Sequence, residues 1–151
     1  MSEQNPVVPT LVSILICDQV IDDRMTNKKS AIGLFNAIVA QSLPSQIQHM
    51  AVMVTLTEVT GKTPLEIRLV RDSDNAVILQ TQGHVESPNP LGMIDLVFNL
   101  QGVAIQTAGQ YAYEVLSGGE PLGRRRFSVM IVQPRQQPPG GQSPIFTNPQ
   151  A

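Results

Sequence analysis

The chain has 151 residues, which suits one domain able to bury roughly two-thirds of its unfolded surface. Its formal net charge is −2 and only 15% of its residues are charged, so no strong global field draws it to nucleic acid or to an anionic membrane. Cys17 is the only cysteine, which excludes an intramolecular disulfide and a cysteine-based zinc site.

The N-terminal segment, MSEQNPVVPT, has neither the basic start nor the apolar stretch of a signal peptide. No run in the sequence approaches the ~20 apolar residues that span a bilayer. We therefore predict a cytoplasmic protein, with residues 1–9 as a flexible N-terminus.

Alternating apolar residues predict β-strands. In AVMVTLTEV, Val52, Val54 and Leu56 alternate with Met53 and two threonines, and the same period of two recurs in LEIRLV, MIDLVFN and FSVMIV. Segments rich in Gly, Pro, Asn or Asp separate these runs. Eight strands are predicted, near residues 11–17, 31–39, 50–59, 65–71, 76–82, 93–99, 110–116 and 125–133. Strands of this length and spacing predict an all-β fold, an antiparallel β-sandwich of seven or eight strands over residues 10–133, with immunoglobulin-like or similar topology.

A charged stretch over residues 18–29 lies between the first two predicted strands. Its acids are Asp18, Asp22 and Asp23, and carboxylates are ligands that calcium prefers. Three basic residues stand beside them: Arg24, Lys28 and Lys29. Because these cations can balance the acids, and because Asp side chains often close turns, we predict a solvated loop without a metal. The alternative is a calcium or small-ligand site at the three aspartates.

A larger calcium site would add Asp72 and Asp74 from a second acidic turn. If every strand crosses the sandwich, successive connections alternate between its two ends. The 18–29 loop is the first connection in the predicted strand order and the 72–75 turn is the fourth. The two acidic segments are therefore expected at opposite ends of the sandwich, too far apart to share an ion.

No group of residues has the spacing of a known catalytic or cofactor-binding motif. Lys62 lies in GKT, but the first glycine of a phosphate-binding loop is replaced by Leu56 and no helix follows. His49 and His84 stand in different segments, and no G-x-S-x-G motif is present. Cys17 ends an apolar strand with no base beside it in sequence, as a buried inert thiol does. We predict no catalytic residue, no cofactor and no enzymatic activity.

Three consecutive arginines, Arg124 to Arg126, form the most basic segment of the chain. Tyr113, Val115 and Phe127 are all predicted to face inward, and residues opposite each other in an antiparallel pair share a face. This predicts a hairpin whose loop runs from Gly118 to Leu122, with Glu114 opposite Arg126. Arg125 then has inward parity and reaches the mouth of the sandwich. This division of the arginines between two faces predicts a structural role and no binding to nucleic acid.

Two further expectations concern packing. Phe98 shares the parity of Ile94 and Leu96 and is predicted to lie in the core. Residues 134–151, rich in Pro, Gly and Gln, are predicted to be a disordered tail that the domain does not need. Six apolar residues have the parity assigned to the outer face: Met53, Val70, Ile78, Val97, Met130 and Val132. If they are contiguous they mark a surface for a partner, and otherwise they lie on strands that are covered on both faces.

The segment from Cys17 to Phe35, with CD at 17–18, DD at 22–23 and IGLF at 32–35, resembles a family of small bacterial domains of uncharacterised function. The later GQYAYEVLSGGEPLGRRRFSV is similar to the last hairpin of immunoglobulin-like sandwiches. Neither resemblance implies a catalytic residue. We predict a non-enzymatic interaction or structural module whose partner is another protein or a second copy, with nucleic acid and membrane excluded.

Overall fold

A computed structural model describes residues 7–132, and over this range the chain forms nine β-strands and no helix. The strands in chain order are β1 (Thr10–Asp23), β2 (Lys28–Leu34), β3 (Ala37–Ala40), β4 (Ser45–Thr57), β5 (Thr63–Arg71), β6 (Ala76–Val85), β7 (Ile94–Ile105), β8 (Gly109–Ser117) and β9 (Glu120–Ile131). The predicted all-β class is confirmed. The predicted tail, residues 134–151, and most of the predicted flexible segment 1–9 lie outside the described residues.

The strands form two sheets, with the orders β2-β1-β4-β7 and β3-β9-β8-β5-β6. All pairs are antiparallel except β3 with β9, so the predicted antiparallel sandwich contains one parallel pair. The Tyr111 hydroxyl at the start of β8 donates to the Thr107 carbonyl oxygen at 2.6 Å. A tyrosine at this corner occurs in immunoglobulin-like sandwiches, and that topology stays a prediction.

The inward-facing residues of both sheets form one core. Ile14 and Ile16 from β1 meet Val52 and Val54 from β4, as the period of two predicts. Because the sequence has no tryptophan, three aromatic rings from the opposite sheet fill the largest volume: Tyr111, Tyr113 and Phe127. The Phe127 ring centroid lies 5.8 Å from that of Tyr111 and 5.7 Å from that of Tyr113. These stacked rings hold β8 and β9 together on the core side.

The strand predicted over residues 31–39 is two strands that belong to different sheets. Gly33 has a φ of +72°, and after Leu34 the chain crosses at Phe35 and Asn36. The Phe35 amide donates to the Ile16 carbonyl of the first sheet, and the Asn36 carbonyl accepts from the Ser128 amide of the second. The extra strand makes the 72–75 turn the fifth connection, and because successive connections alternate between the two ends of the sandwich, both acidic turns lie at one end. The predicted opposite placement is wrong.

Phe98 is half-buried and packs against the core. It is less enclosed than predicted because β7 is the edge of its sheet and has a neighbour on one side only. The six apolar residues with outward parity also differ among themselves. Val70 is buried beside a bulge in the β5–β6 pairing, whereas Met130 and Val132 are about half exposed. The six therefore do not form one surface.

The arginine hairpin has the predicted parity and a different register. Glu114 lies opposite Arg124, Ala112 lies opposite Arg126, and the loop contains only Gly118 and Gly119. Both glycines have positive φ, 57° and 86°, as a two-residue hairpin turn requires. The predicted five-residue loop and the Glu114–Arg126 pair are therefore wrong.

The middle arginine does lie on the inward side. Arg125 donates to the Ile14 carbonyl at 3.2 Å and to the Asn36 side-chain oxygen at 3.0 Å, which joins the open side of the two sheets. The expected structural role agrees with these contacts.

Candidate functional site

The acidic segment is the end of a β-hairpin and not a loop. β1 pairs with β4 only as far as Cys17, opposite Ala51, and then continues paired with β2 alone up to Asp23, opposite Lys28. Only residues 24–27 form a turn. The predicted 18–29 loop is therefore corrected to two strand ends joined by a four-residue turn.

Two of the three candidate aspartates stabilise this hairpin. Asp22 accepts a hydrogen bond from the Lys29 ammonium at 2.6 Å, and this contact raises the pKa of Lys29. Asp23 accepts from the backbone amides of Met25 and Thr26 at 2.8 and 3.3 Å, which lowers the pKa of Asp23. Both carboxylates thus have local structural partners, as Asp side chains in turns usually do.

Asp18 is placed differently, because its carboxylate lies over Gly33 on the neighbouring strand. A Cβ atom on Gly33 would be 2.2 Å from the Asp18 Oδ2 atom and 2.8 Å from its Cγ. Gly33 also has the left-handed backbone that glycine adopts without cost. The glycine therefore leaves the space in which this carboxylate sits, and the Asp18 side chain remains exposed.

A cleft of about 450 Å³ opens where β1 leaves β4. Its floor contains the buried Met50 and the half-buried Leu100. Five exposed residues with hydrogen-bonding side chains line it, from β1, β4 and β7: Asp18, Gln19, His49, Asn99 and Gln101. Asp18 shares the core-facing parity of Ile16 and the other four have the opposite parity, so the lining comes from both faces of the sheet around the gap between β1 and β4. We call this the hairpin-base cleft. Its lining residues carry one carboxylate, three amides and one imidazole beside two apolar side chains.

Backbone groups without a partner on a neighbouring strand also face this cleft. The Ile16 carbonyl accepts from Phe35, so the even-numbered residues of β1 present their backbone groups to β2 and the odd-numbered ones to β4. Beyond the Cys17–Ala51 pair, the backbone groups of Gln19 on β1 and His49 on β4 therefore point into the gap. The cleft thus offers backbone donors and acceptors beside its polar side chains.

Cys17 closes the inner end of the gap. Its thiol lies 3.4 Å from the Gln19 carbonyl oxygen and 3.7 Å from that of Ala51. Burial raises the pKa of this thiol, so the nucleophilic thiolate is disfavoured. This placement fits the predicted structural role.

The three candidate aspartates do not converge, and the part of the chain that the structure describes contains no group of three His, Cys, Asp or Glu side chains able to hold a metal. Asp74 instead pairs with Arg71, with an Arg71 Nη2 to Asp74 Oδ2 distance of 2.6 Å, and this contact lowers the Asp74 pKa to about 2. The predicted absence of a metal stays a prediction.

The basic segment is neutralised by acids on the outer face of the five-stranded sheet. Asp72 accepts from Arg124 at 2.5 Å and from Arg126 at 3.0 Å. Glu114 adds a second carboxylate 3.7 Å from Arg124. These contacts crosslink β5, β8 and β9.

In the described range, residues 7–132, there is no helix long and apolar enough to cross a membrane.

The fold and the hairpin-base cleft define the chain as a two-sheet β-sandwich domain with a polar cleft beside a long hairpin. A model described as "Family of unknown function (DUF6941)" matches residues 12–130. The chain belongs to this family, which confirms the resemblance to a family of uncharacterised domains. No curated protein matches the chain.

One similar solved structure is the alkylpurine DNA glycosylase AlkC of Pseudomonas fluorescens, bound to DNA that contains an abasic site analog. The likeness has a TM-score of 0.43 and 12% sequence identity, and it covers 78% of this chain and 30% of that one. The chain thus spans less than a third of the glycosylase. A likeness this low carries no argument about what the present chain binds.

The glycosylase is nevertheless a DNA-bound protein, and this finding contradicts our prediction about partners. That prediction named another protein or a second copy and excluded nucleic acid and membrane. We withdraw it. The net charge of −2 and the neutralised arginines describe this chain's own electrostatics and are insufficient to exclude a class of partner.

Sequence reasoning identified Asp18 and missed the other residues of the cleft. His49 was considered only as a possible partner of His84. The two are separated in the fold, because His49 lies on β4 and His84 lies on β6. Gln19, Asn99 and Gln101 have no distinctive spacing in the sequence. The one available signal was the pairing of CD at 17–18 with IGLF at 32–35, because a glycine opposite an aspartate in a hairpin indicates a close approach.

Proposed function

We propose that the chain is a non-enzymatic binding module whose ligand site is the hairpin-base cleft. One observation carries the proposal: Asp18 and four other exposed residues with hydrogen-bonding side chains, from three strands, line one cleft together with Met50 and Leu100. A few convergent polar groups over apolar side chains are the usual composition of a small-ligand site.

The placement of Asp18 supports this proposal. An exposed aspartate in a strand needs no glycine opposite it, yet Gly33 is in a left-handed conformation directly beneath the carboxylate. Asp22, on the same strand, has a lysine partner instead. The local structure therefore accommodates the Asp18 carboxylate at the cleft without using it in an ion pair.

A fragment screen by two-dimensional NMR tests the proposal. Small polar fragments of all three charge types are added to the full chain, and amide shifts are mapped. We expect the fragments that bind to shift Gln19, His49 and Gln101. The variant Gln101→Ala should weaken them, whereas Gln80→Ala, an exposed glutamine on β6, should not. Shifts confined to other surfaces would refute the proposal.

Two expectations from the sequence are kept as part of it. We propose a cytoplasmic location, which fractionation of the native host tests directly. We also propose residues 10–133 as the domain, and limited proteolysis followed by mass spectrometry should recover that fragment.

A further inference from the structure

The hairpin-base cleft contains a carboxylate without a compensating cation. Its lining has no lysine or arginine among the residues that the structure describes. Over residues 7–132, Asp18 takes part in none of the salt bridges, whereas Asp22 and Asp74 each pair with a basic residue. Among the described residues, no salt bridge therefore offsets the Asp18 charge at the cleft.

The remaining lining groups add hydrogen-bond acceptors and an apolar surface. The Gln19 backbone carbonyl points into the gap between β1 and β4, and besides the Cys17 thiol it has a second lone pair for a ligand. The side-chain amides of Gln19, Asn99 and Gln101 lie at the other rim of this gap, on the parity opposite to that of Asp18. Met50 and Leu100 form an apolar floor on which an alkyl chain can pack. A ligand suited to this arrangement has several N–H donors, a positive charge and a short apolar stem.

We propose that the cleft binds a small organic cation, a guanidinium or ammonium group on a short alkyl chain, with Asp18 as its counter-ion. This inference rests on the proposed function and names its ligand class. A charge-assisted hydrogen bond to a carboxylate is about twice as strong as a neutral one, so charge decides which ligand binds. An anion is disfavoured because the lining has a carboxylate and neither a lysine nor an arginine.

Two probes of nearly the same shape separate charge from fit: n-butylguanidinium and its neutral analogue n-butylurea. Each is titrated into the full chain at low ionic strength, with affinity and amide shifts followed by NMR. We expect butylguanidinium to shift Gln19, His49 and Gln101, and butylurea to bind at least about tenfold more weakly. Added salt should weaken butylguanidinium binding, because the site is exposed.

The variant Asp18→Asn removes the charge and keeps the shape. It should weaken butylguanidinium at least about tenfold, whereas Glu120→Gln, the same change at an exposed carboxylate in the β8–β9 hairpin, should leave the affinity unchanged. The Asp18→Asn protein is first checked for an unchanged circular dichroism spectrum. If it does not fold, the salt dependence and the two-probe comparison on the wild-type chain still decide the question.

The outcomes distinguish this inference from the proposed function. Equal binding of the two probes in the cleft, or an unchanged affinity of Asp18→Asn, would overturn the cation assignment and leave the cleft as a binding site. No shift at the cleft from the two probes overturns the cation assignment. The proposed function also fails if, in addition, no fragment of the screen shifts it.

Discussion

Replacement of Gly33 by alanine measures how the Asp18 carboxylate is accommodated. Alanine at this position must take the left-handed backbone, with φ at +72°, at a cost of about 1–2 kcal/mol. Its Cβ would also lie 2.2 Å from Asp18 Oδ2 and 2.8 Å from Asp18 Cγ, and because Asp18 is exposed its side chain can rotate away, at a further cost of about 0.5–1.5 kcal/mol. We expect the free energy of unfolding to fall by about 1.5–3.5 kcal/mol, a large share of the stability of a small domain.

Two further variants separate the backbone cost from the clash. Gly102 on β7 has a φ of +62°, and nothing lies within 4 Å of the Cβ it would gain, so Gly102→Ala should cost only the backbone part, about 1–2 kcal/mol. In the double variant Asp18→Ala, Gly33→Ala, the two clashing atoms are gone and only a Cβ at 3.1 Å remains. The double variant should therefore be more stable than the sum of the single changes predicts.

Urea unfolding followed by far-UV circular dichroism gives these free energies, because the chain has no tryptophan to serve as a fluorescent probe. The slope of the free energy against urea should stay the same in all variants, which shows that the unfolded states are comparable. A loss below about 0.5 kcal/mol for Gly33→Ala, or additive effects in the double variant, would refute the contact between Gly33 and Asp18.

Three other predictions follow from burial and position. Phe98→Ala should destabilise the chain by about 1–3 kcal/mol in urea unfolding, below the range of fully buried phenylalanines, because the edge strand β7 leaves the ring half-exposed; a loss above 4 kcal/mol would contradict this. The Cys17 thiol, buried and with a raised pKa, should resist iodoacetamide at pH 8 until denaturant is added, and rapid labelling of the folded chain would show that the gap opens. Burial raises the pKa of Tyr113, so the unfolded chain releases this proton first as the pH rises above about 10, and stability should decrease there. Tyr113→Phe should weaken that decrease, and an unchanged alkaline profile would assign it to other groups.

Much of the fold follows from local patterns. The period of two in β4, β5 and β9 is set by the pleat of a strand, so Val52, Val54 and Phe127 could be assigned to the core without knowledge of any neighbour. The inward parity of Arg125 followed in the same way. Parity depends only on counting residues within one strand, and this explains why these predictions held.

Register and strand number depend on single turns, where the pattern gives less guidance. The β8–β9 pairing was placed incorrectly because the loop was predicted to run from Gly118 to Leu122, whereas Pro121 lies opposite Leu116 beyond a bulge. The two positive-φ glycines, Gly118 and Gly119, favour the short turn that the structure contains. The division of residues 31–39 into β2 and β3 was also missed, because an apolar run does not show at which residue it passes from one sheet to the other.

The hairpin-base cleft exists only because of the sheet order. Asp18, His49 and Asn99 come together since β1, β4 and β7 are adjacent and since β1 leaves β4 after Cys17. Strand order is decided by packing between distant segments, and no spacing within the sequence records it. The Asp18–Gly33 contact is different, because a hairpin register links its two members locally. A residue pair within a hairpin is thus accessible to sequence reasoning, while a site assembled from three strands becomes visible only when the pairing of those strands is known.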